Sequence, residues 1–401
     1  MNIFKKIYCR IFQKGFYVVM PFMPWRKPSL LIGEDSLLKL PALIKSLNIK
    51  SVLIVTDKGL MNLGLVNPLI EELTNEGLNF VVYDEVVPNP TISNIEKGAK
   101  IYRDNHCEAI IAFGGGSPMD CAKGIGARIA RPNKPISKMK GVLKICKKLP
   151  PLFAIPTTAG TGSETTLAAV ITNDETHEKY PINDFNLIPN YAVLDPTLTE
   201  KLPKHITSTT GMDALTHAVE AFIGSSNTKE TKQMALDAIE LIFNNIKTVY
   251  DDGTNLEARK NMQIASFKAG VAFTRAYVGY VHAVAHTLGG AYNVPHGLAN
   301  AVILPYVLEV FGKSAHKKLA KLADHVHLTD INESNEVKAK AFIKAIKDLN
   351  EYMNIPTKLD IKEEDIPLLA KRADKEGNPL YPVPKLMNAK ELEQIYYLVK
   401  K

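Results

Sequence analysis

The stretch A-I-I-A-F-G-G-G-S-P-M-D, running from Ala109 to Asp120, decides the fold. Ala109 to Phe113 is short, apolar and β-branched at its centre, the pattern of a buried strand. It runs directly into Gly114, Gly115 and Gly116; Ser117 then supplies an N-cap, Pro118 suits a first helical position, and Asp120 completes a capping-box-like pairing. Three glycines ahead of a helix N-terminus let backbone amides approach a pyrophosphate, whose charge the helix dipole favours. The pattern is not G-x-G-x-x-G, and alone it also fits a tight strand-to-helix turn with no ligand.

Working outward, further short apolar runs fall at Val52 to Val55, Phe80 to Tyr83 and Leu152 to Ile155, separated by helix-like segments at Gly59 to Glu76 and Ile92 to Asp104. Alternating β and α predicts a parallel sheet covered by helices, with ligands at the carboxyl ends of the strands. The Val52 strand ends in Asp57, a carboxylate placed to accept hydrogen bonds from a ribose diol and to repel a 2′-phosphate, which favours NAD over NADP. The loop P-T-T-A-G-T-G-S-E, Pro156 to Glu164, follows another strand; its hydroxyls and glycines suit a polar ligand, although Thr and Gly also simply make turns.

After Asp195 the strands largely stop, and the chain reads as successive helices, clearest at Lys229 to Lys247, Leu256 to Phe273 and Asn335 to Asn350. The expected division is a basic extension at 1–28, an α/β dinucleotide-binding domain at 29–200 and a helical metal-binding domain at 201–401. The helical part carries H-A-V-A-H-T-L-G-G-A-Y-N-V-P-H-G, His282 to Gly297, and G-M-D-A-L-T-H, Gly211 to His217. His282 and His286, and likewise Asp213 and His217, stand at i and i+4 and share a helix face. Gly289 and Gly290 are expected to end the first of these helices, and Pro295 to deliver His296 from a turn. Imidazoles and a carboxylate on two facing helices are suited to closing around a divalent ion. The five candidates Asp213, His217, His282, His286 and His296 exceed the usual four ligands, so at least one of them has another task.

Composition limits the function classes. The net charge of +7 looks basic, but residues 1–27 hold Lys5, Lys6, Arg10, Lys14, Arg26 and Lys27 without one acid, which leaves the body nearly neutral. No nucleic-acid-binding face is indicated. Cys9, Cys107, Cys121 and Cys146 show no C-x-x-C spacing and read as reduced thiols of a cytoplasmic protein. Phe4, Ile7, Tyr8, Ile11 and Phe12 recur at helical spacing among those cations, giving a basic amphipathic helix. Two placements suit it: its apolar face packed on the protein's own body or a second subunit, the commoner arrangement, or a peripheral contact with an anionic membrane. No cleavage pattern of a signal peptide and no spanning run of about 18 apolar residues is present.

Taken together and in this order, G-G-G-S-P-M-D, P-T-T-A-G-T-G-S-E, G-M-D-A-L-T-H and H-A-V-A-H-T-L-G-G-A-Y-N-V-P-H-G resemble the iron-containing (group III) alcohol dehydrogenase family over about residues 29 to 400. The resemblance implies a dehydroquinate-synthase-like fold, a Rossmann-like α/β domain followed by an all-α domain, with the active site in the cleft between them. It implies Asp213, His217, His282 and His296 as metal ligands and His286 as a catalytic polar partner or proton-relay member. Cofactor contacts carry over to Asp57, Asn89, Gly115, Gly116, Ser117, Thr157, Thr158, Thr161, Thr166, Lys179 and Leu198. The implied reaction is hydride transfer between a small alcohol or diol and NAD, with Fe²⁺ as the metal and Zn²⁺ as the alternative, in a homo-oligomer. Ahead of the histidine motif this chain departs from the family pattern with Arg275, Tyr277 and Tyr280, which bear on the substrate if they face the pocket. A lyase of the dehydroquinate synthase type would need several Lys and Arg near the metal, for which only Arg275 offers itself; a non-catalytic docking protein would not need intact ligands.

Overall fold

The structure is a computed structural model that describes every residue except His177 and the side chain of Pro21. By internal contacts it divides into two units, one formed by Met1–Met23 with Leu202–Lys401 and the other by Pro24–Lys201. Residues 1–23 thus join the helical unit, and 24–28 the α/β unit.

The α/β unit contains strands β1 (Ser29–Ile32), β2 (Ser51–Val55), β3 (Asn79–Tyr83), β4 (Ala109–Gly114), β5 (Gly141–Val142), β6 (Leu152–Pro156), β7 (Ala168–Thr172), β8 (Lys179–Asn183) and β9 (Tyr191–Leu194). Six of them form a fully parallel sheet in the order β1-β9-β6-β4-β2-β3. β4 and β6 are buried along their whole length, as strands covered by helices on both faces must be. The chain runs from β2 to β3 and then returns to the other side of β2 to lay down β4, so the order in which strands are added reverses between β2 and β4 while the sheet stays parallel. In open α/β sheets this reversal is where the carboxyl ends of neighbouring strands leave a crevice for a nucleotide. Asp57 and Gly114 stand at the carboxyl ends of those two strands. β5, β8 and β7 form a separate three-stranded sheet that the sequence pattern does not announce.

The helices after the N-terminal α1 (Ile3–Val19) are α2 (Leu40–Ser46), α3 (Lys58–Asn62), α4 (Asn67–Asn75), α5 (Ile92–Asp104) and α6 (Gly116–Ala130) in the α/β unit. The helical unit adds α7 (Lys204–Ile223), α8 (Lys229–Asp251), α9 (Leu256–Ala276), α10 (Tyr280–Tyr292), α11 (His296–Phe311), α12 (Lys313–His325), α13 (Asn335–Tyr352), α14 (Ile366–Gly377) and α15 (Ala389–Val399). The helix expected from Gly59 to Glu76 is in fact two, α3 and α4, parted where Gly64 takes a left-handed φ of 69°. α10 runs through Gly289 and Gly290 instead of ending there, and the stop comes at Asn293, whose φ of 54° caps the helix. His296 is therefore not held in a turn: Pro295 is the N-cap of α11 and His296 its first residue.

α1 packs on the helical unit through its polar side. Arg10 Nη1 donates to the Val383 carbonyl at 2.9 Å, and the buried Gln13 amide donates to the carbonyls of Pro379 (3.0 Å) and Tyr381 (2.8 Å). Its apolar face points to solvent, the reverse of the usual arrangement for a packed helix.

Candidate metal centre and cofactor loops

α7 is apolar almost all round and buried over most of its length, which brings Asp213 and His217, one turn apart, to the interior of the helical unit. His282 from the first turn of α10 and His296 from the start of α11 meet them. One ligand atom from each of these four residues lies within 4.8 Å of every other. Gly297 makes the approach feasible, since a Cβ there would fall 2.5 Å from the Thr209 carbonyl oxygen, a backbone atom that cannot yield.

Charge and tautomer are set from behind. Glu220, one turn beyond His217 on α7, accepts the backbone N–H groups of Gly279 (2.7 Å) and Val281 (2.8 Å) and lies 2.7 Å from His282 Nδ1. With Nδ1–H donating to that carboxylate, the His282 Nε2 lone pair is left facing Asp213 and His296. Burial pushes the Glu220 carboxyl up to about 7 against its backbone donors, and raises that of Asp213 against His217 and Asn300. Burial and the three neighbouring histidines hold the His282 imidazole well below its ordinary value. A cation within the group reverses the local preference and favours the lone-pair forms.

The Asn300 amide gives the chemical test of fit. It is fully buried, and its Nδ2 lies 2.7 Å from Asp213 Oδ1, 3.2 Å from His282 Nε2 and 3.1 Å from His296 Nε2. Three acceptor atoms converge on one NH2 group, which has two protons to give. Its Oδ1 is buried with no hydrogen-bond partner. Convergent acceptors ask for positive charge, and three imidazoles with one carboxylate are donors suited to Fe²⁺ or Zn²⁺.

His286, the fifth candidate, stands apart from the four. Its side chain is 41% exposed, its Nδ1 lies 2.7 Å from Glu376 Oε1, and its ring stacks on His296 with centroids 5.2 Å apart. Burial acts to raise the Glu376 carboxyl, yet His286 and the hydrogen bonds from His286 and Tyr381 bring it below the ordinary carboxylate range. The three departures ahead of the motif are otherwise engaged. Arg275 pairs with Glu230 at 2.6 Å, Tyr277 packs edge-on against Phe16 of α1, and the fully buried Tyr280 donates its hydroxyl to Asn378 and receives the Met387 N–H.

In the α/β unit α6 begins earlier than expected. Gly115 is the N-cap and makes no side-chain cap, Ser117 lies inside the first turn, and Asp120 closes no capping box. The Asp120 carboxylate instead accepts the Ser163 hydroxyl and the Val170 N–H, each at 3.1 Å. With glycine as the N-cap and no side chain capping the end, the first amides of α6 are left pointing out of the helix end. Gly114 has a φ of 147°, and a Cβ there would meet Pro118 at 2.6 Å, so only glycine serves. A Cβ on Gly115 would touch Thr158 at 3.5 Å and one on Gly116 Thr161 at 3.4 Å, which sets the loop after β6 directly beside the glycines. Thr157 N–H donates to the Gly114 carbonyl at 3.2 Å.

Lys123, which the sequence reading passed over, fixes that loop. Fully buried on α6, its ammonium, with three protons to give, lies 2.7–3.1 Å from five oxygens, the carbonyls of Ser163, Thr166 and Ala168 and the hydroxyls of Ser163 and Thr166. Its signal was a lone lysine among the small residues of C-A-K-G-I-G. Lys179 Nζ donates to Asn89 Oδ1 at 2.5 Å, and Asn89 N–H to Ser117 Oγ at 3.3 Å, so these three residues form one chain. Asp57 is the N-cap of α3, accepting Leu60 N–H at 3.0 Å. Leu198 is buried in the hydrophobic cluster of the sheet with Val193 and Phe153.

Residues 28–196 match the iron-containing alcohol dehydrogenase family, and residues 207–398 match the C-terminal part of the Fe-containing alcohol dehydrogenase family. The 1,3-propanediol dehydrogenase of Citrobacter freundii is 41% identical over 357 residues, covering 88% of this chain and 92% of that one. The NAD-dependent methanol dehydrogenase of Bacillus methanolicus is 35% identical over 349 residues, covering 86% and 91%. A crystal structure of a 1,3-propanediol oxidoreductase superposes with a TM-score of 0.90 at 37% identity over 93% of this chain and 98% of that one. The chain belongs to the iron-containing alcohol dehydrogenase family, and is an oxidoreductase acting on CH–OH groups with a dehydroquinate-synthase-like fold.

Proposed function

We propose that this chain is a metal-dependent, NAD-linked dehydrogenase that interconverts a small primary alcohol or diol and its aldehyde. The convergence of Asp213, His217, His282 and His296, with the His282 tautomer set by Glu220, carries this reading. Bound there, Fe²⁺ or Zn²⁺ supplies Lewis acidity toward a substrate oxygen, and the dinucleotide supplies the hydride acceptor. The chain's own part is to hold and orient. Asp213 and the three imidazoles hold the cation, Glu220 keeps His282 turned toward it, and Asn300 braces Asp213 from behind. His286, with Nδ1 fixed on Glu376, has Nε2 as the atom at which to hold or release a proton.

The amides of Gly115 and Gly116 and the Ser117 hydroxyl cradle the pyrophosphate in this reading. Thr157, Thr158, Thr161 and Thr166 line the facing loop, Asn89 and Lys179 close one side, and Asp57 takes the ribose diol. Leu198 supports the sheet under this surface. The alternative lyase finds less support, since Arg275 already has its carboxylate partner. The same reading makes the chain a cytoplasmic homo-oligomer; its four cysteines are free, and no helix among the described residues is long and apolar enough to cross a membrane.

The test is NADH oxidation with a panel of short aldehydes and hydroxyaldehydes, before and after addition of Fe²⁺. Turnover that rises with Fe²⁺ supports the proposal; no turnover with any member of the panel contradicts it. A second result follows from Asp57. In Asp57→Gly the carboxylate that repels a 2′-phosphate is gone, while glycine keeps most of the N-cap stability. The kcat/KM ratio of NADH to NADPH is expected to fall by about tenfold or more, corresponding to about 1.4 kcal/mol of lost discrimination. An unchanged ratio removes Asp57 from the ribose site.

A further inference from the structure

α1 turns Cys9, Arg10 and Gln13 inward and most of its large apolar side chains outward, and this inversion needs an explanation. Gln13 and Cys9 are buried and Arg10 reaches the carbonyls of Val383 and Pro384, whereas Phe4 is 80% exposed, Ile11 65% and the following Phe22 81%. Ile3, Ile7, Ile11 and Val18 recur at helical spacing along this open face, with Phe4 and Tyr8 beside them. So many large apolar side chains on one exposed helix face mark a binding surface, since scattered exposure does not produce a continuous stripe.

Charge says what covers it. Lys6 and Lys14 stand eight residues apart along one edge of the stripe, Lys385 lies beside them in the same groove, and residues 1–23 contain no acid. A second copy meeting this face about a twofold axis would bring cation against cation. An apolar stripe rimmed by long basic side chains is the pattern of a helix that lies in the plane of an anionic bilayer, its apolar face among the acyl chains and its ammonium groups among the phosphates. At about 25 Å the helix is too short to do more than lie there. Its fixed attachment to the body helps: Lys5 pairs with Asp374 at 3.1 Å and the N-terminal amine with Glu391 at 2.9 Å, so the helix is already folded before it meets lipid. We propose that α1 is a peripheral anchor by which the enzyme binds anionic phospholipid surfaces.

The full chain is floated with vesicles of phosphatidylcholine alone and with vesicles in which about one third of the lipid is phosphatidylserine. Binding is expected to be at least about tenfold stronger to the anionic vesicles and to weaken as salt rises. The double variant Phe4→Glu with Ile11→Glu is expected to lose about a hundredfold in vesicle affinity, and Lys6→Glu with Lys14→Glu to lose the salt-sensitive part. Both are expected to keep the wild-type rate of NADH oxidation, which shows that they fold. Absence of vesicle binding overturns the proposal, as does binding that the Phe4→Glu, Ile11→Glu variant leaves intact. If that variant instead splits an oligomer in light scattering while the wild type ignores vesicles, the face belongs to a second copy and the proposal is likewise overturned.

Discussion

Replacing His282 by alanine is expected to lower kcat/KM by about a thousandfold or more, because Lewis-acid assistance contributes several kcal/mol and each 1.4 kcal/mol is about tenfold in rate. His282 is 2% exposed, and its Nε2 faces Asp213 and His296 while Nδ1 is tied to Glu220. Removing the ring deletes one of four donors and also leaves the Glu220 carboxylate buried without that partner. Two controls separate loss of the metal from loss of the fold. A chelator is expected to bring the wild type down to the variant's level, and Fe²⁺ to restore the wild type but not His282→Ala. If His282→Ala recovers full activity with Fe²⁺, His282 is not a ligand.

Glu220→Ala is expected to be as damaging to the fold as to the metal. The carboxylate receives the N–H groups of Gly279 and Val281 together with His282 Nδ1–H, all buried. Leaving three buried donors unanswered costs about 1–3 kcal/mol each, of which we expect about 3 kcal/mol to appear as lost stability. In a unit of this size that is roughly a 6–12 °C fall in Tm. Removing the partner that orients a metal-bound imidazole typically weakens metal binding by about 10–100-fold. Glu220→Gln keeps the volume and one acceptor oxygen, so it should fall between wild type and Glu220→Ala in both Tm and metal affinity. Equal losses in the two variants would mean that shape alone matters at this position.

The β2 and β4 strands and the glycine loop could be read because each rests on a local pattern, a short apolar run ending in an acid or in glycines; local spacing offered five candidate ligands, and the family resemblance, not the spacing, set His286 apart from the four that converge. The groups that hold the site in place were missed because their partners are distant in sequence. Glu220 and Asn300 each sit inside an apolar helix, one turn after His217 and His296, and an acid or amide among Ala, Val and Ile was the available signal. Periodicity exposed the two faces of α1 but not which would turn inward. That was decided by the segment Pro379 to Pro384, whose carbonyls take donors from Arg10 and Gln13. The start of α6 moved for a related reason: Asp120 found Ser163 and Val170 across the fold, and no cap competed with them.

The most direct measurement is the metal content of the protein purified without air, compared with that of Asp213→Ala prepared in parallel and shown to be folded. About one equivalent of iron or zinc per wild-type chain is expected, and next to none in the variant. Equal metal content in the two, or full turnover from wild-type protein stripped of metal, would contradict the assignment of this metal centre.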